Sequence, residues 1–413
     1  MEHTKEKPDF IGWYREQREH KIIGLMSGTS LDGVDAVLVT IHNDEKGVVT
    51  KVTLEHQVSI PFNPEMKACM DALCTPGKSD INDLTYAHFG IAHWYAIAVD
   101  ALIAEVGIDR LEIDAVSMHG QTVWHAPLPK DFPGPFGPIP VTGTLQIGNS
   151  QVVASLVGLP VLSDFRAADM AEGGEGAPLA PYIDFLLFGK REEGRAVQNI
   201  GGIGNVTVLP LHGSPSDIFA FDTGPGNMII DAVVSLGTQG KKSFDEGGAI
   251  AERGTASQKI VQSLMADPYF SRKPPKSTGR EVYGRAFVQE FLKMTEAEGL
   301  SFEDTVATAT DFTAASIARS YHDFILPVTP LHTAIISGGG ARNKTLLAMI
   351  AKRMPKGVVV DVSDSFGIPD QAREAMAFAV LGHESLMGRP GNIIAVTGAR
   401  RPVVLGVITM QHI

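Results

Sequence analysis

Cysteine is nearly absent: the 413 residues contain two, Cys69 and Cys74. They lack CxxC spacing and neighbouring ligand histidines, which leaves no basis for a disulfide framework or a cysteine-held metal. A reducing, cytoplasmic setting is the expectation. Basic charge is also in deficit, with 35 Lys and Arg against 47 Asp and Glu and a net charge of −12. Neither a nucleic-acid backbone nor an anionic membrane is therefore expected as a general partner, and an anionic ligand must meet a local cluster of donors. No apolar run approaches the roughly 20 residues of a membrane span, and the opening MEHTKEKPDFIGWYREQREHK lacks the apolar core of a signal peptide. That charged extension reads as an amphipathic helix or a loose tail, and no function is assigned to it.

Glycine is plentiful, at 43 residues, and its placement organises the chain. At this length two or three domains are expected, with two the working number. Apolar alternation predicts strands in GLMSGTSLDGVDAVLVT and over Val49 to Ile60, and helical spacing predicts PEMKACMDAL and a long helix over INDLTYAHFGIAHWYAIAVDALIAEVG. His88, His93, Trp94 and Tyr95 on the long helix read as packing and polar-face positions. IDAVSMHGQTVWH predicts a strand ending in His119, Gly120, Gln121 and Thr122, the end at which open α/β sheets bind ligands. The following PLPKDFPGPFGPIPVTG, with six prolines and three glycines, reads as a loop, with a domain boundary near Val141 to Gly143. TLQIGNSQVVASLVGLPVLSDF then predicts strand, helix and strand, the helix opening near Asn149 or Ser150.

Four polar glycine turns follow apolar strands. They are MSGTSLDG near Gly28, NIGGIGN over 199–205, FDTGPGN over 221–227 and SGGGARN over 337–343. Small residues let several backbone N–H groups face one point, an arrangement suited to phosphate oxygens, and the third turn leads into MIIDAVVSLG, whose N-terminus favours anions. The repetition suggests an internal duplication. RAADMAEGGEGAPLAP crowds Arg166, Asp169, Glu172 and Glu175 around glycines, as either a solvated loop or a site. Glu374 falls early on a helix over DQAREAMAFAVLGHESL, at an edge that could face a cleft.

The ordered set GLMSGTSLDGVDAVL, HGQTVWH, TLQIGNSQVVA, SDFRAADMAEGGEGAPLAP, NIGGIGNVTVL, FDTGPGNMIIDA, DEGGAIAERG, PPKSTGRE and ISGGGARN resembles the anhydro-N-acetylmuramic acid kinase family from about Lys21 to near the C-terminus. The resemblance implies an α/β protein of two duplicated actin-like, ribonuclease H-like domains with a cleft between them. The expected N-terminal domain takes residues 1–142 plus 392–413, and the C-terminal one 143–391. The reaction implied is ATP-dependent opening and phosphorylation of 1,6-anhydro-N-acetylmuramic acid. By carry-over, Asp169 is the general base and Glu374 a second acidic residue. Gly28, Thr29, Ser30, Asp32, Gly33, Asp35, Gly201, Gly202, Asn205, Gly224, Gly226, Gly338, Gly339 and Gly340 meet ATP. His119, Gln121, Thr122, Arg166, Gly173 and Gly174 meet the sugar. A homodimer is implied.

Two departures from the pattern stand out. Aspartates expected near Met26 and Asn199 are missing, so Mg²⁺ is expected to ride mainly on the nucleotide, with Asp35 or Asp222 as possible helpers. Glu175 stands where the family motif carries glutamine, and a second charge facing Asp169 would raise the base's pKa. Other readings are a kinase of a plain anhydrohexose such as levoglucosan and a nucleotide-gated scaffold of the actin type.

Overall fold

The computed structural model describes residues 9–28 and 31–410, the side chains of Arg280 and Glu281 excepted. Thr29 and Ser30, two of the expected ATP residues, lie outside the described residues. The chain forms two compact units, one reaching Leu187 and resuming at Gly367, the other running from Phe188 to Phe366.

The first unit is built on a seven-stranded mixed sheet. Strands β1 (Glu19–Ser27), β2 (Gly33–Asn43) and β3 (Val49–Pro61) form an antiparallel meander. β4 (Ala115–Gly134) lies parallel to β1, and β5 (Gly137–Ile147) turns back along it. β6 (Val161–Ser163) runs parallel to β4 and is flanked by the last strand, β12 (Val407–Thr409). Ile22, Ile23 and Leu25 of β1 are fully buried because both faces of the sheet are covered. On one face lies the helix Ile81–Val106, opened by an Asp80/Asp83 capping box and closed by Gly107 in the left-handed region. This helix is long and apolar enough to compare with a membrane span, contrary to the expectation from apolar runs, yet its Ile91, Tyr95, Val99 and Leu102 are buried in the unit's core.

The helix Asp370–Leu386 packs on β1, β2 and β4. Two glycines set its closeness: a Cβ on Gly24 would stand 2.0 Å from the Ala375 carbonyl, and one on Gly382 would stand 2.5 Å from Ser117 Oγ. Ser117 Oγ also donates to the Phe378 carbonyl. Gly24 of the opening motif thus seats the residue next to Glu374.

The second unit repeats the plan. β7 (Arg195–Ile200), β8 (Ile203–Leu209) and β9 (Phe219–Pro225) form an antiparallel meander, and β10 (Thr333–Ser337) and β11 (Val359–Val362) extend it in parallel from β7. The order β11-β10-β7-β8-β9 reproduces β6-β4-β1-β2-β3 strand for strand and direction for direction. This is the duplicated ribonuclease H-like α/β architecture expected from the sequence.

Two expectations need correction. Residues 127–143 are not a loop but most of the β4–β5 hairpin, in which Phe132 pairs with Ile139 and Lys130 with Val141. The prolines misled because a two-stranded arm has free edges, where a missing N–H costs no ladder bond. A boundary near residue 142 would cut β5, and residues 161–163 belong to the first sheet. The contact division instead falls at Leu187/Phe188 and at Phe366/Gly367, which places Asp169 and Glu374 in the first unit.

Candidate active site

In the first unit the strand ends and two connecting segments bring several of the expected groups together. His119 and Gln121 stand where β4 leaves β1, beside the glycine turn. Gln121 accepts from Ser27 Oγ and donates to the Gly28 carbonyl at 3.3 Å. Thr122 Oγ1 instead accepts from Gln146 Nε2 at 3.1 Å, within the hairpin. Arg166 Nε donates to His119 Nε2 at 3.0 Å, which requires a neutral ring protonated on Nδ1. Burial, with Arg166 second, lowers the pKa of His119 to about 3, in keeping with that tautomer, and Nδ1 is buried without a hydrogen-bond partner among the described residues.

Arg166 Nη1 reaches the Gly176 carbonyl at 2.7 Å, and Gly176 N donates to Asp169 Oδ2 at 2.8 Å. One hydrogen-bonded path therefore runs from His119 through Arg166 and Gly176 to Asp169. Asp169 Oδ1 accepts from Asn392 Nδ2 and Thr397 Oγ1, both at 2.7 Å. The carboxylate is fully buried, so the segment is not a solvated loop, although Glu175 within it is exposed. A carboxylate offers about four lone-pair sites, so three donors leave one, on Oδ2. Gly174 flanks that oxygen so closely that a Cβ would stand 2.2 Å from it, whereas Gly173 faces open space. Asn392 and Thr397 had no assigned site role. Their only signal was two hydrogen-bonding residues, GN and VT, in a glycine-punctuated stretch of the returning segment.

Glu374 is solvent-exposed, but protein crowds it, and burial raises its pKa, with Asp370 and Asp35 adding to the shift and Arg373 and Arg166 opposing it. Arg373 itself pairs with buried Asp184. Asp35, Gly33 and Asn205 lie in strands β2 and β8, not at loop tips. Gly33 is required by packing, since a Cβ would stand 2.3 Å from the Ile60 carbonyl. Asp35 accepts from Ser59, and Asp32 is exposed beside Lys67, with an Oδ1–Nζ distance of 3.1 Å.

In the second unit three glycine turns converge. Gly226 N donates to the Gly202 carbonyl at 2.9 Å, Asn227 N donates to the Gly201 carbonyl at 2.7 Å, and Asn227 Nδ2 donates to the Ile200 carbonyl at 3.1 Å. Gly338 is left-handed (φ +78°), and a Cβ there would stand 2.6 Å from Asn199 Oδ1; one on Gly340 would stand 2.5 Å from Ile200. Gly224 lies at the end of β9. Gly201, Gly202 and Gly339 have freer faces, where a ligand can approach the backbone. Next to Gly339 is a cavity of about 250 Å³ whose walls include Asp231, Phe244, Asp245 and Arg342.

The chain matches the family described as anhydro-N-acetylmuramic acid kinase over residues 20–411. It belongs to this family. It is 42% identical over 394 residues to an anhydro-N-acetylmuramic acid kinase of Caldanaerobacter subterraneus subsp. tengcongensis, covering 95% of this chain and 98% of the relative. It is also 42% identical to that of Salinibacter ruber, covering 94% and 96%. As an anhydro-N-acetylmuramic acid kinase family member, the protein is an ATP-dependent anhydrosugar kinase. Solved structures give more distant likenesses. The activator of a 2-hydroxyisocaproyl-CoA dehydratase from Clostridium difficile aligns at TM-score 0.42 and 12% identity, covering 89% of this chain and 95% of that one. A ROK family glucokinase from Streptomyces griseus aligns at TM-score 0.35 and 14% identity, covering 87% and 98%. Neither likeness supports a residue assignment.

Proposed function

We propose that the protein converts 1,6-anhydro-N-acetylmuramic acid, MgATP and water into N-acetylmuramic acid 6-phosphate and ADP, as a cytoplasmic step in the recycling of cell-wall peptidoglycan. The observation that carries the reading is the path His119–Arg166–Gly176–Asp169, which ties the expected sugar segment to the expected base. In an anhydrosugar O6 is bonded to C1 and has no proton to lose. Water adds at C1 as the C1–O6 bond breaks, O6 takes the γ-phosphoryl group as ADP leaves, and the water's proton passes to a base. Asp169 is that base, through the lone pair of Oδ2 beside Gly174, while Asn392 and Thr397 hold Oδ1. Glu374, exposed and near Arg166, orients the sugar or the water.

The glycine turns receive the phosphates, and the cavity beside Gly339 receives the nucleoside. Among the described residues no group of three or more His, Cys, Asp or Glu is placed to hold a metal. Asp222 is engaged too, its Oδ2 accepting from Thr278 N at 3.0 Å and its carbonyl from Tyr269 Oη at 2.7 Å. In this reading Mg²⁺ enters on ATP and keeps several of its own waters, as that ion tolerates. The homodimer implied by the resemblance belongs to the same reading and is checked by sedimentation.

The test is turnover on 1,6-anhydro-N-acetylmuramic acid beside levoglucosan, with product identified by mass and by phosphorus NMR. The reading predicts a 6-phosphate carrying one oxygen from labelled water at C1, with a preference for the muramic sugar. Faster turnover of levoglucosan would replace the substrate, and ATP hydrolysis indifferent to either sugar would remove the kinase reaction.

A further inference from the structure

The cavity beside Gly339 is lined by two polar side chains, Asp231 and Arg342, that make no side-chain hydrogen bond or ion pair among the described residues. Its other polar walls are committed: Asn227 to the Ile200 carbonyl, Asp245 to Ile250 N at 2.8 Å and Ala251 N at 3.0 Å, and Asn343 to Leu346 N at 2.9 Å. Asp231 is half-buried, and burial, with Asp245 second, raises its pKa to about 6. A half-buried carboxyl with no protein donor relies on water, and such groups are commonly retained where a ligand takes the water's place.

Position narrows which donor that is. Asp231 lies in the first turn of the helix Met228–Gly237, which begins directly after the glycine turn at Gly224–Gly226. A nucleotide with phosphates on the glycine turns and its base deeper in the cavity would pass its sugar by this first turn. A vicinal diol can donate two O–H groups to one carboxylate, and Arg342 and Phe244 remain to face the base.

We propose that Asp231 accepts hydrogen bonds from the ribose hydroxyls of the nucleotide and makes the enzyme select ribonucleotides over deoxyribonucleotides. The inference rests on the placement of the nucleoside in this cavity. The experiment is calorimetric titration of the full-length protein with ATP, 2′-deoxy-ATP and 3′-deoxy-ATP in excess Mg²⁺, for the wild type and for Asp231→Asn and Arg342→Ala, each with a melting curve. The wild type should bind at least one deoxy analogue about tenfold more weakly than ATP, the scale of one hydrogen bond to a charged group. In Asp231→Asn, ATP should weaken by a similar factor and the difference between ATP and the analogue should shrink towards unity. Equal wild-type affinities for all three nucleotides would overturn the proposal, as would an Asp231→Asn variant that weakens all three alike. Arg342→Ala should weaken all three nucleotides. If it leaves them unchanged, the nucleoside lies elsewhere and the cavity assignment itself fails.

Discussion

Asn392 Nδ2 donates to Asp169 Oδ1 across 2.7 Å, joining residues 223 positions apart and tying the returning C-terminal segment to the AEGGEGAP turn. The Asn392 side-chain oxygen meanwhile accepts from Val403 N at 2.9 Å, so the amide cannot rotate without losing both bonds. Replacing Asn392 by Ala should remove one of the two donors that hold Asp169 Oδ1 and loosen the orientation of the carboxylate. The expected result is a fall in kcat of about 10- to 100-fold with little change in KM for ATP, as for loss of an orienting partner. Steady-state kinetics on both substrates checks it, and a change confined to KM would assign Asn392 to binding.

Gly174 offers a sharper probe of the space at Oδ2. A methyl group there would stand 2.2 Å from an oxygen held by Gly176 N, on a carboxylate also fixed by Asn392 and Thr397. Gly174→Ala must displace the carboxylate or the turn, and activity should drop by at least about tenfold with a loss of stability of about 1–3 kcal/mol. Near-normal turnover would show that Oδ2 needs no open flank.

Glu374 connects the account to pH. Its folded-state pKa is raised, so crowding favours the protonated acid and the carboxylate forms at higher pH than for a free glutamate. If the carboxylate orients substrate, kcat/KM should fall on the acid side with a midpoint above that of a free glutamate, and Glu374→Gln should abolish this limb. For stability the sign is opposite to the usual acidic residue: the contribution is present at low pH and is lost as pH rises through the raised pKa. An acid limb unchanged in Glu374→Gln would assign it to another group.

The described part of the N-terminal extension, residues 9–19, precedes the family match and packs through Tyr14. Tyr14 is fully buried, its Oη lies 2.6 Å from His383 Nδ1, and its ring centroid is 3.9 Å from that of His20. Burial lowers the pKa of His20 to about 4 and that of His383 well below the ordinary value. The unfolded chain therefore binds these protons first, and stability should fall as pH drops from about 6.5 towards 4. Tyr14→Phe leaves His383 Nδ1 buried without its partner and should cost about 1–3 kcal/mol. Denaturant unfolding at pH 7 and pH 5 checks both, and a Tyr14→Phe variant as stable as the wild type would mean the contact is dispensable.

The sequence made the sheets legible because their strands are apolar runs closed by glycine turns, and MSGTS and NIGGIGN mark the same place in two copies of one meander. It hid the hairpin, since proline content says little about a strand with free edges. It also hid the role of Gly24, whose lack of a Cβ matters only once the helix Asp370–Leu386 lies on β1. Asn392 and Thr397 were unreadable for a related reason: their role is a contact made over more than two hundred residues, and no local pattern records it. Asp169 stood out in the sequence through its glycine-rich surroundings, but its complete burial depends on that returning segment.

The central claim is that Asp169 deprotonates the water that opens the anhydro bond, and its full burial makes a purely bracing role the rival account. Kinetics of Asp169→Asn measured beside its melting curve tests this most directly. The account predicts a folded variant that binds ATP normally and loses about two to four powers of ten in kcat, with ring opening and phosphorylation failing together. A variant that folds as well as the wild type and turns over at a near-normal rate, or one whose activity falls only in step with the fraction unfolded, would contradict it.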